Sequence, residues 1–196
     1  MTVDDGSLDR LVDSARSGDP EAFGALFDRF HQPVYRYVAA RVGRPSDAED
    51  LTQLVFVKAL EALPRYESRG VPFGGWLFRL ARNVVIDFVR TRREHAPLDL
   101  VGERAGGDGS PHELAVLRDE VDAVAAALRR LTPEQREAIA LRFFAGLSAR
   151  EAAVAMGKQE GTVRGLQFRA VAALRRELGI ERGAEDLPDR STGDAG

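Results

Sequence analysis

Five polar side chains between residues 79 and 93 have a spacing suited to binding phosphate groups. They follow one another at 0, 3, 4, 11 and 14 positions, which places them on one stripe of a helix. They are Arg79, Arg82, Asn83, Arg90 and Arg93. The planar guanidinium group donates two hydrogen bonds to a single anion, so arginine suits phosphate recognition. An ordinary solvated helix face is the alternative, but residues 65–95 carry seven arginines against three acids.

A second candidate face lies near the end of the chain, where a helical spacing brings four residues together. They are Arg164, Gly165, Phe168 and Arg169. In a helix-turn-helix, the start of the second helix enters the major groove of DNA. Arginine can contact guanine there, and phenylalanine can contact a thymine methyl group. The alternative is a surface helix within a bundle, which leaves an exposed Phe168 unexplained.

Composition excludes several other kinds of chemistry. The 196 residues include no cysteine, which excludes disulfides, thiolate metal sites and cysteine nucleophiles on this chain. The acids Asp47, Glu49 and Asp50 favour a helix N-terminus over a metal site, because no histidine or further acid recurs at ligand spacing. No nucleophile–base pair and no phosphate-binding loop is evident. We therefore predict no catalytic residue, metal, cofactor or small-molecule substrate.

Helical signals recur along the chain, and strand signals are almost absent. Apolar residues repeat at intervals of three and four, and a further helix is predicted over 74–93. Residues that favour helix N-termini precede these runs: Ser7, Asp19, Ser46, Thr132 and Ser148. Gly43, Gly146 and Gly157 follow helical runs as expected for helix ends and turns. A short helix, the Gly157 turn and a longer helix predict a helix-turn-helix.

Charge and composition divide the chain into two blocks. Residues 8–95 and 113–182 each carry a net charge of +2, whereas 96–112, 183–196 and the first seven residues are acidic. The Pro/Gly/Asp/Ser content of 96–112 predicts a flexible linker, and 183–196 is predicted to be a disordered tail. A long surface loop within one domain is the alternative. We predict an all-α protein of two small domains, a helical bundle and a helix-turn-helix.

The chain is expected to be soluble and cytoplasmic. Its apolar runs are only a few residues long, far from the ~20 needed to cross a bilayer. Its acidic N-terminus also lacks the basic-then-apolar order of a signal peptide. No membrane insertion is therefore predicted.

The order of short motifs resembles the sigma-70 family of bacterial transcription initiation factors, specifically the extracytoplasmic-function (ECF, group 4) class. In the first block, Gly18–Phe23, Ala48–Gln53 and Trp76–Asn83 resemble sigma region 2. In the second block, Leu131–Arg136 and Gly161–Arg164 resemble region 4. The resemblance implies a subunit that binds core RNA polymerase, recognises the −10 and −35 promoter elements and assists DNA opening.

The resemblance also implies a role for each group of residues. The coiled coil of the polymerase's largest subunit would receive Asp47, Glu49, Asp50, Gln53, Leu54 and Phe56, and region 4 would meet the polymerase flap. An unpaired −10 base would be captured by Tyr66, Phe73, Trp76 and Asn83. The phosphates of that strand would be held by Arg79, Arg82, Arg90, Arg92 and Arg93. The −35 duplex would be read by Thr162, Arg164, Gly165, Phe168 and Arg169.

Physical expectations agree with these implied roles. Melted DNA is best held by a basic groove with aromatic surfaces, which stabilise extruded bases by ~1–3 kcal/mol each. The 96–112 linker would span ~20–25 Å as a coil and at most ~60 Å when stretched. An anti-sigma partner and association with the nucleoid within holoenzyme are further implications of the resemblance.

Two other functions remain open at this point. A stand-alone helix-turn-helix regulator would bind DNA through the second block alone and would not need the 48–56 segment. A protein-interaction module would keep the fold without contacting DNA.

Overall fold

The computed structural model describes residues 5–68, 70–95 and 123–180, and these residues are helical apart from turns. No strand occurs within these ranges, which confirms the predicted all-α class. The predicted linker and tail, 96–112 and 183–196, lie outside the described residues. The described part of the second block therefore begins at 123.

Eight α-helices are described. The first half contains α1 (Asp5–Arg16), α2 (Pro20–Val42), α3 (Pro45–Ala62), a 3₁₀ turn (Leu63–Arg65) and α4 (Phe73–His95). The second half contains α5 (123–130), α6 (Pro133–Ile139), a π-helical turn (Ala140–Phe144), α7 (Ala149–Met156) and α8 (Glu160–Glu177). The α7–turn–α8 unit has the short-helix, tight-turn, longer-helix order predicted from the sequence.

Most of the predicted helix ends are found in the structure. The Asp19 side chain accepts hydrogen bonds from the backbone N–H groups at the start of α2. Thr132 and Ser148 each form a complete capping box at the start of α6 and α7. Gly157 ends α7 in the left-handed conformation, with φ of 64°. That conformation suits glycine, which has no Cβ to clash with the backbone.

The predicted N-cap of α3 is wrong. Ser46 is not its N-cap; Arg44 occupies that position and makes no side-chain cap hydrogen bond. The helix begins at Pro45 instead. Proline has its φ already fixed near the helical value and has no N–H to satisfy, so it starts a helix without a capping side chain.

The principal buried core is continuous across the two halves. It includes Val38 and Val85 from the first half together with Leu141 and Ala153 from the second. A smaller cluster lies within the second half, around Leu131, Ile139 and Ala170. The two halves therefore pack directly on each other. We call this the closed arrangement.

Candidate nucleic-acid interface

The recognition face predicted on α8 lies in solvent. Thr162, Arg164, Phe168 and Arg169 are exposed and Gly165 is half-buried. Phe168 is 72% exposed, so its ring is accessible to a partner on this face. The buried face of the same helix, including Val163, Leu166 and Ala170, packs inward. This division leaves the predicted face available to the major groove.

A groove of about 900 Å³ runs beside this face. Its lining includes four arginines, and such a concentration of positive charge attracts phosphate. They are Arg142, Arg164, Arg175 and Arg176. Arg142 is fixed there because its Nε donates to Gln167 Oε1 at 2.9 Å and its Nη1 donates to the Leu147 carbonyl. Arg164 donates to Glu160 Oε1 at 2.6 Å.

The stripe predicted on α4 is divided by the closed arrangement. Asn83 and Arg90 are exposed, and Arg90 makes a surface ion pair with Asp87 at 3.3 Å. Arg79 instead donates from Nε and Nη2 to the carbonyl of Val154 on α7, at 3.2 and 3.0 Å. Arg82 faces the second half as well. The side chain of Arg93 lies outside those that the structure describes.

Two of the predicted base-stacking aromatics are part of the core. Tyr66 and Phe73 are each 5% exposed. Tyr66 donates its hydroxyl hydrogen to the Val71 carbonyl at 2.7 Å. Their rings pack against Trp76, with centroids 5.0 and 5.4 Å away. Trp76 is half-buried, so only this member of the cluster offers part of its ring to a base.

The environment of Tyr66 favours its neutral form. Burial raises the pKa of the Tyr66 hydroxyl above its ordinary value, and the negative charges of Asp9 and Asp13 raise it further. Arg16 on α1 donates to the Tyr66 carbonyl at 3.3 Å. This hydrogen bond holds the start of the segment between the 3₁₀ turn and α4 against α1. The Tyr66 ring in turn packs on Trp76.

An ion pair joins α3 to α4 and involves two of the residues assigned above. Arg92 Nη1 lies 2.6 Å from Asp47 Oδ2, and both side chains are partly buried. Arg92 had been expected to hold a DNA phosphate and Asp47 to meet the polymerase. In the structure the two side chains pair with each other and join α3 to α4.

The exposed side of α3 presents an acidic and apolar face. Glu49, Asp50, Gln53 and Leu54 are exposed, as a partner-binding role requires. Phe56 is not: it is 6% exposed and packs on Phe27 with ring centroids 4.7 Å apart. The face also extends to two exposed apolar residues that sequence reasoning did not assign. They are Val57 and Leu60, both more than half exposed.

Sequence reasoning also missed a buried carboxylate. Glu137 on α6 is 4% exposed. It accepts a hydrogen bond from the Tyr37 hydroxyl at 2.7 Å and pairs with Arg41. Arg82 Nε lies 3.7 Å from the same carboxylate. No local pattern marks Glu137, because its hydrogen-bond partners Tyr37 and Arg41 lie about a hundred residues away in the chain.

Neither a metal-binding cluster nor a membrane-spanning helix occurs within the described ranges. No three acidic or histidine side chains there are grouped as a metal ion would need. None of the helices described is long and apolar enough to cross a membrane.

Two family models match the chain in order along its length. Sigma-70 region 2 matches residues 26–95, and Sigma-70, region 4 matches residues 122–174. The ECF RNA polymerase sigma factor BldN of Streptomyces coelicolor is 39% identical over 178 residues, which cover 89% of this chain and 67% of BldN. The chain belongs to the ECF sigma factors. SigD of Mycobacterium tuberculosis, also an ECF RNA polymerase sigma factor, is 36% identical over 91% of this sigma factor and 87% of SigD.

Solved structures of similar fold cover both halves of this sigma factor. CnrH in complex with the cytosolic domain of CnrY is 30% identical, with a TM-score of 0.66 over 88% of this chain and 97% of CnrH. RpoE in complex with the anti-sigma factor NepR from Bartonella quintana is 26% identical, with a TM-score of 0.64 over 82% and 98%. Family membership favours a polymerase subunit over a stand-alone regulator.

Proposed function

We propose that this sigma factor binds core RNA polymerase with α3 and places two DNA-binding faces on one promoter. The observation that carries the proposal is the exposed recognition face of α8, with Arg164, Phe168 and Arg169 in solvent. It occurs in a chain whose other half carries a separate partner-binding face. The polymerase supplies the chemistry, and we infer no catalytic step on this chain.

The polymerase-binding face is the exposed side of α3. Its members are Glu49, Asp50, Gln53, Leu54, Val57 and Leu60. Charge at its start and apolar side chains toward its end suit a helical partner, since apolar contacts supply affinity and charges set the orientation. A stand-alone regulator has no use for such a face.

The −35 element is read by α8 and the −10 element by α4. In the major groove, Arg164 and Arg169 would contact guanine or phosphate and Phe168 a thymine methyl group. On α4, the exposed part of Trp76 and the amide of Asn83 would border an extruded base. Arg79, Arg82 and Arg90 would hold the phosphates of that strand.

We further infer that this sigma factor acts in the cytoplasm, where polymerase and DNA meet, and that an anti-sigma partner controls it. The second inference is supported by the solved relatives of similar fold, CnrH with CnrY and RpoE with NepR.

The test mixes the purified chain with core polymerase from the same organism and a randomised promoter library. The proposal predicts a stable holoenzyme and transcripts that start downstream of enriched −35 and −10 sequences. Sequence-specific duplex binding without polymerase association would favour a stand-alone regulator. Absence of both a holoenzyme and specific transcripts would contradict the function.

A further inference from the structure

The groove beside α8 is both basic and apolar, and it extends past the predicted recognition face toward the end of the helix. Arg175 and Arg176 line it there, and both are exposed. Its apolar lining from the same helix consists of Phe168, Val171 and Ala172. No acid is among the described residues that line the groove. A ligand suited to it therefore combines negative charge with some apolar surface.

The chain leaves α8 at the edge of this groove. Gly179 has a φ of 64°, and the backbone N–H of Ile180 donates to the Arg175 carbonyl at 2.9 Å. The N–H of Gly179 donates to the Arg176 carbonyl at 3.3 Å. These two bonds form a Schellman motif, which ends the helix and turns the chain. Ile180 thereby lines the groove while remaining 57% exposed, so the next residues are attached at the groove itself.

The segment that follows, 181–189, has a composition that complements the groove. Its sequence is Glu-Arg-Gly-Ala-Glu-Asp-Leu-Pro-Asp. Four acids stand against one base, and Leu187 is its large apolar residue. Carboxylates and guanidinium groups form charge-assisted hydrogen bonds, and a leucine side chain gains by leaving water for an apolar surface. The charge and the apolar content of the segment thus match those of the groove.

The segment is also long enough to follow the groove along α8. A helix rises 1.5 Å per residue, so Arg175 and Phe168 are about 10 Å apart along its axis. An extended chain covers about 3.3 Å per residue, so the seven residues after Ile180 span up to about 23 Å. Leu187 can therefore reach Phe168, with its neighbouring acids near Arg164. Tethering supplies an effective concentration of about millimolar, which offsets the weakness of single surface ion pairs.

We propose that the groove on α8 is a docking surface for the chain's own acidic segment, 181–189, which occupies it in the free chain and gives way to the −35 duplex. Arg164 and Phe168 line the groove and also belong to the predicted recognition face, so the segment and the duplex compete for them. The competition rests on the proposed function, which supplies the duplex. The docking can be tested without DNA or polymerase.

The first experiment measures docking in the free full chain by paramagnetic broadening of amide NMR signals. Because the chain contains no cysteine, Ser191→Cys places a single spin label just beyond the segment. The docking variant neutralises three acids of the segment: Glu185→Gln, Asp186→Asn and Asp189→Asn. The matched control neutralises three exposed acids of the first half: Asp9→Asn, Asp28→Asn and Glu61→Gln.

We expect the label to broaden the amide signals of 164–168 strongly in the native chain and in the control, and weakly in the docking variant. Salt at about 1 M, where the Debye length is about 3 Å, should reduce the broadening in the native chain. Equal broadening in the native chain and the docking variant would overturn the docking. Broadening seen only between labelled and unlabelled chains in a mixture would assign the groove to a second copy and would also overturn it.

The second experiment measures the affinity of the same unlabelled proteins for a −35 duplex recovered from the promoter library. Apparent affinity falls with the fraction of chains whose groove is occupied, so the docking variant should bind up to about tenfold more tightly than the control. The control accounts for the general gain in DNA affinity that follows any loss of negative charge.

Two results of this measurement separate the proposals. If the docking variant no longer docks its segment but binds the duplex no more tightly than the control, competition with DNA is refuted. If none of the proteins binds any duplex specifically, the proposed function fails and the competition fails with it, whereas the docking is judged by the NMR signals alone.

Discussion

Arginines on this sigma factor differ in how readily they can exchange a protein partner for a phosphate. The pairs Arg90–Asp87 and Arg164–Glu160 are largely exposed, and such pairs contribute little to stability. Their guanidinium groups can turn to DNA at small cost. Arg92 is only one-third exposed and its pair with Asp47 is short, so it is expected to stay paired.

Arg164 should contribute to the choice of −35 sequence. Arg164→Ala is expected to reduce discrimination at one −35 position by ~1–3 kcal/mol, the value of a bidentate contact to a base. Holoenzyme transcription from the promoter library measures this preference. Arg10→Ala, an exposed arginine on α1, is the control. An unchanged −35 preference in Arg164→Ala would remove this residue from the recognition face.

Asp50 should contribute to polymerase binding alone. Asp50→Lys is expected to weaken the affinity for core polymerase by about tenfold, because charge reversal at an interface opposes both encounter and docking. Fluorescence anisotropy of labelled chain titrated with core polymerase measures this, with the exposed Asp28→Lys as control. Equal affinities of the two variants would show that α3 does not form this contact.

Aromatic residues show the limit of prediction at this scale. Phe168 could be assigned to the surface because its helical neighbours on that face are polar. Tyr66, Phe73 and Phe56 could not be assigned, because an aromatic near a site can as readily support it from the core. Their burial depends on packing with other helices, which local spacing does not reveal.

The helices themselves were largely predictable because their end signals are local. A capping side chain and the N–H groups it binds are two or three residues apart, as at Asp19, Thr132 and Ser148. The start of α3 was mistaken because Ser46 and Pro45 offered competing signals. The end of α6 was not foreseen either, since the chain winds into the π-helical turn (Ala140–Phe144) before the Gly146 turn.

The cap at Asp19 should make α2 sensitive to acid. Hydrogen bonds from Ser14 and from the Ala22 backbone lower the pKa of Asp19 below its ordinary value of 3.8. A lowered folded-state pKa stabilises the fold above the unfolded value, and that contribution is lost as the pH falls through the folded value.

Asp19→Asn keeps a capping oxygen but does not titrate. Native chain should therefore lose more thermal stability than Asp19→Asn between about pH 5 and about pH 3. Melting temperatures followed by circular dichroism measure the difference. Asp28→Asn, on the exposed side of the same helix, controls for general loss of an acid. If the melting temperatures of the native chain and Asp19→Asn fell equally over this pH range, the charge of Asp19 would not stabilise α2.

For the whole molecule, the sequence predicted two helical blocks but not their contact. Charge and composition predict a linker over 96–112 because both change along the chain. The Tyr37–Glu137 hydrogen bond joins residues a hundred positions apart, and carboxylates are ordinarily exposed.

The closed arrangement conflicts with simultaneous binding of two promoter elements. Sites about two turns of DNA apart are separated by roughly 70 Å, whereas Arg79 on α4 is hydrogen-bonded to α7. The two halves must therefore separate when α8 occupies the −35 element and α4 the −10 element.

The most direct test compares one distance in two states of the same protein. Spin labels at Asp28→Cys and Arg129→Cys report the separation of the halves in the free chain and in holoenzyme bound to a promoter from the library. The account predicts a short distance in the free chain and a much longer, well-defined one on the promoter. An unchanged distance in a transcriptionally active complex would contradict it.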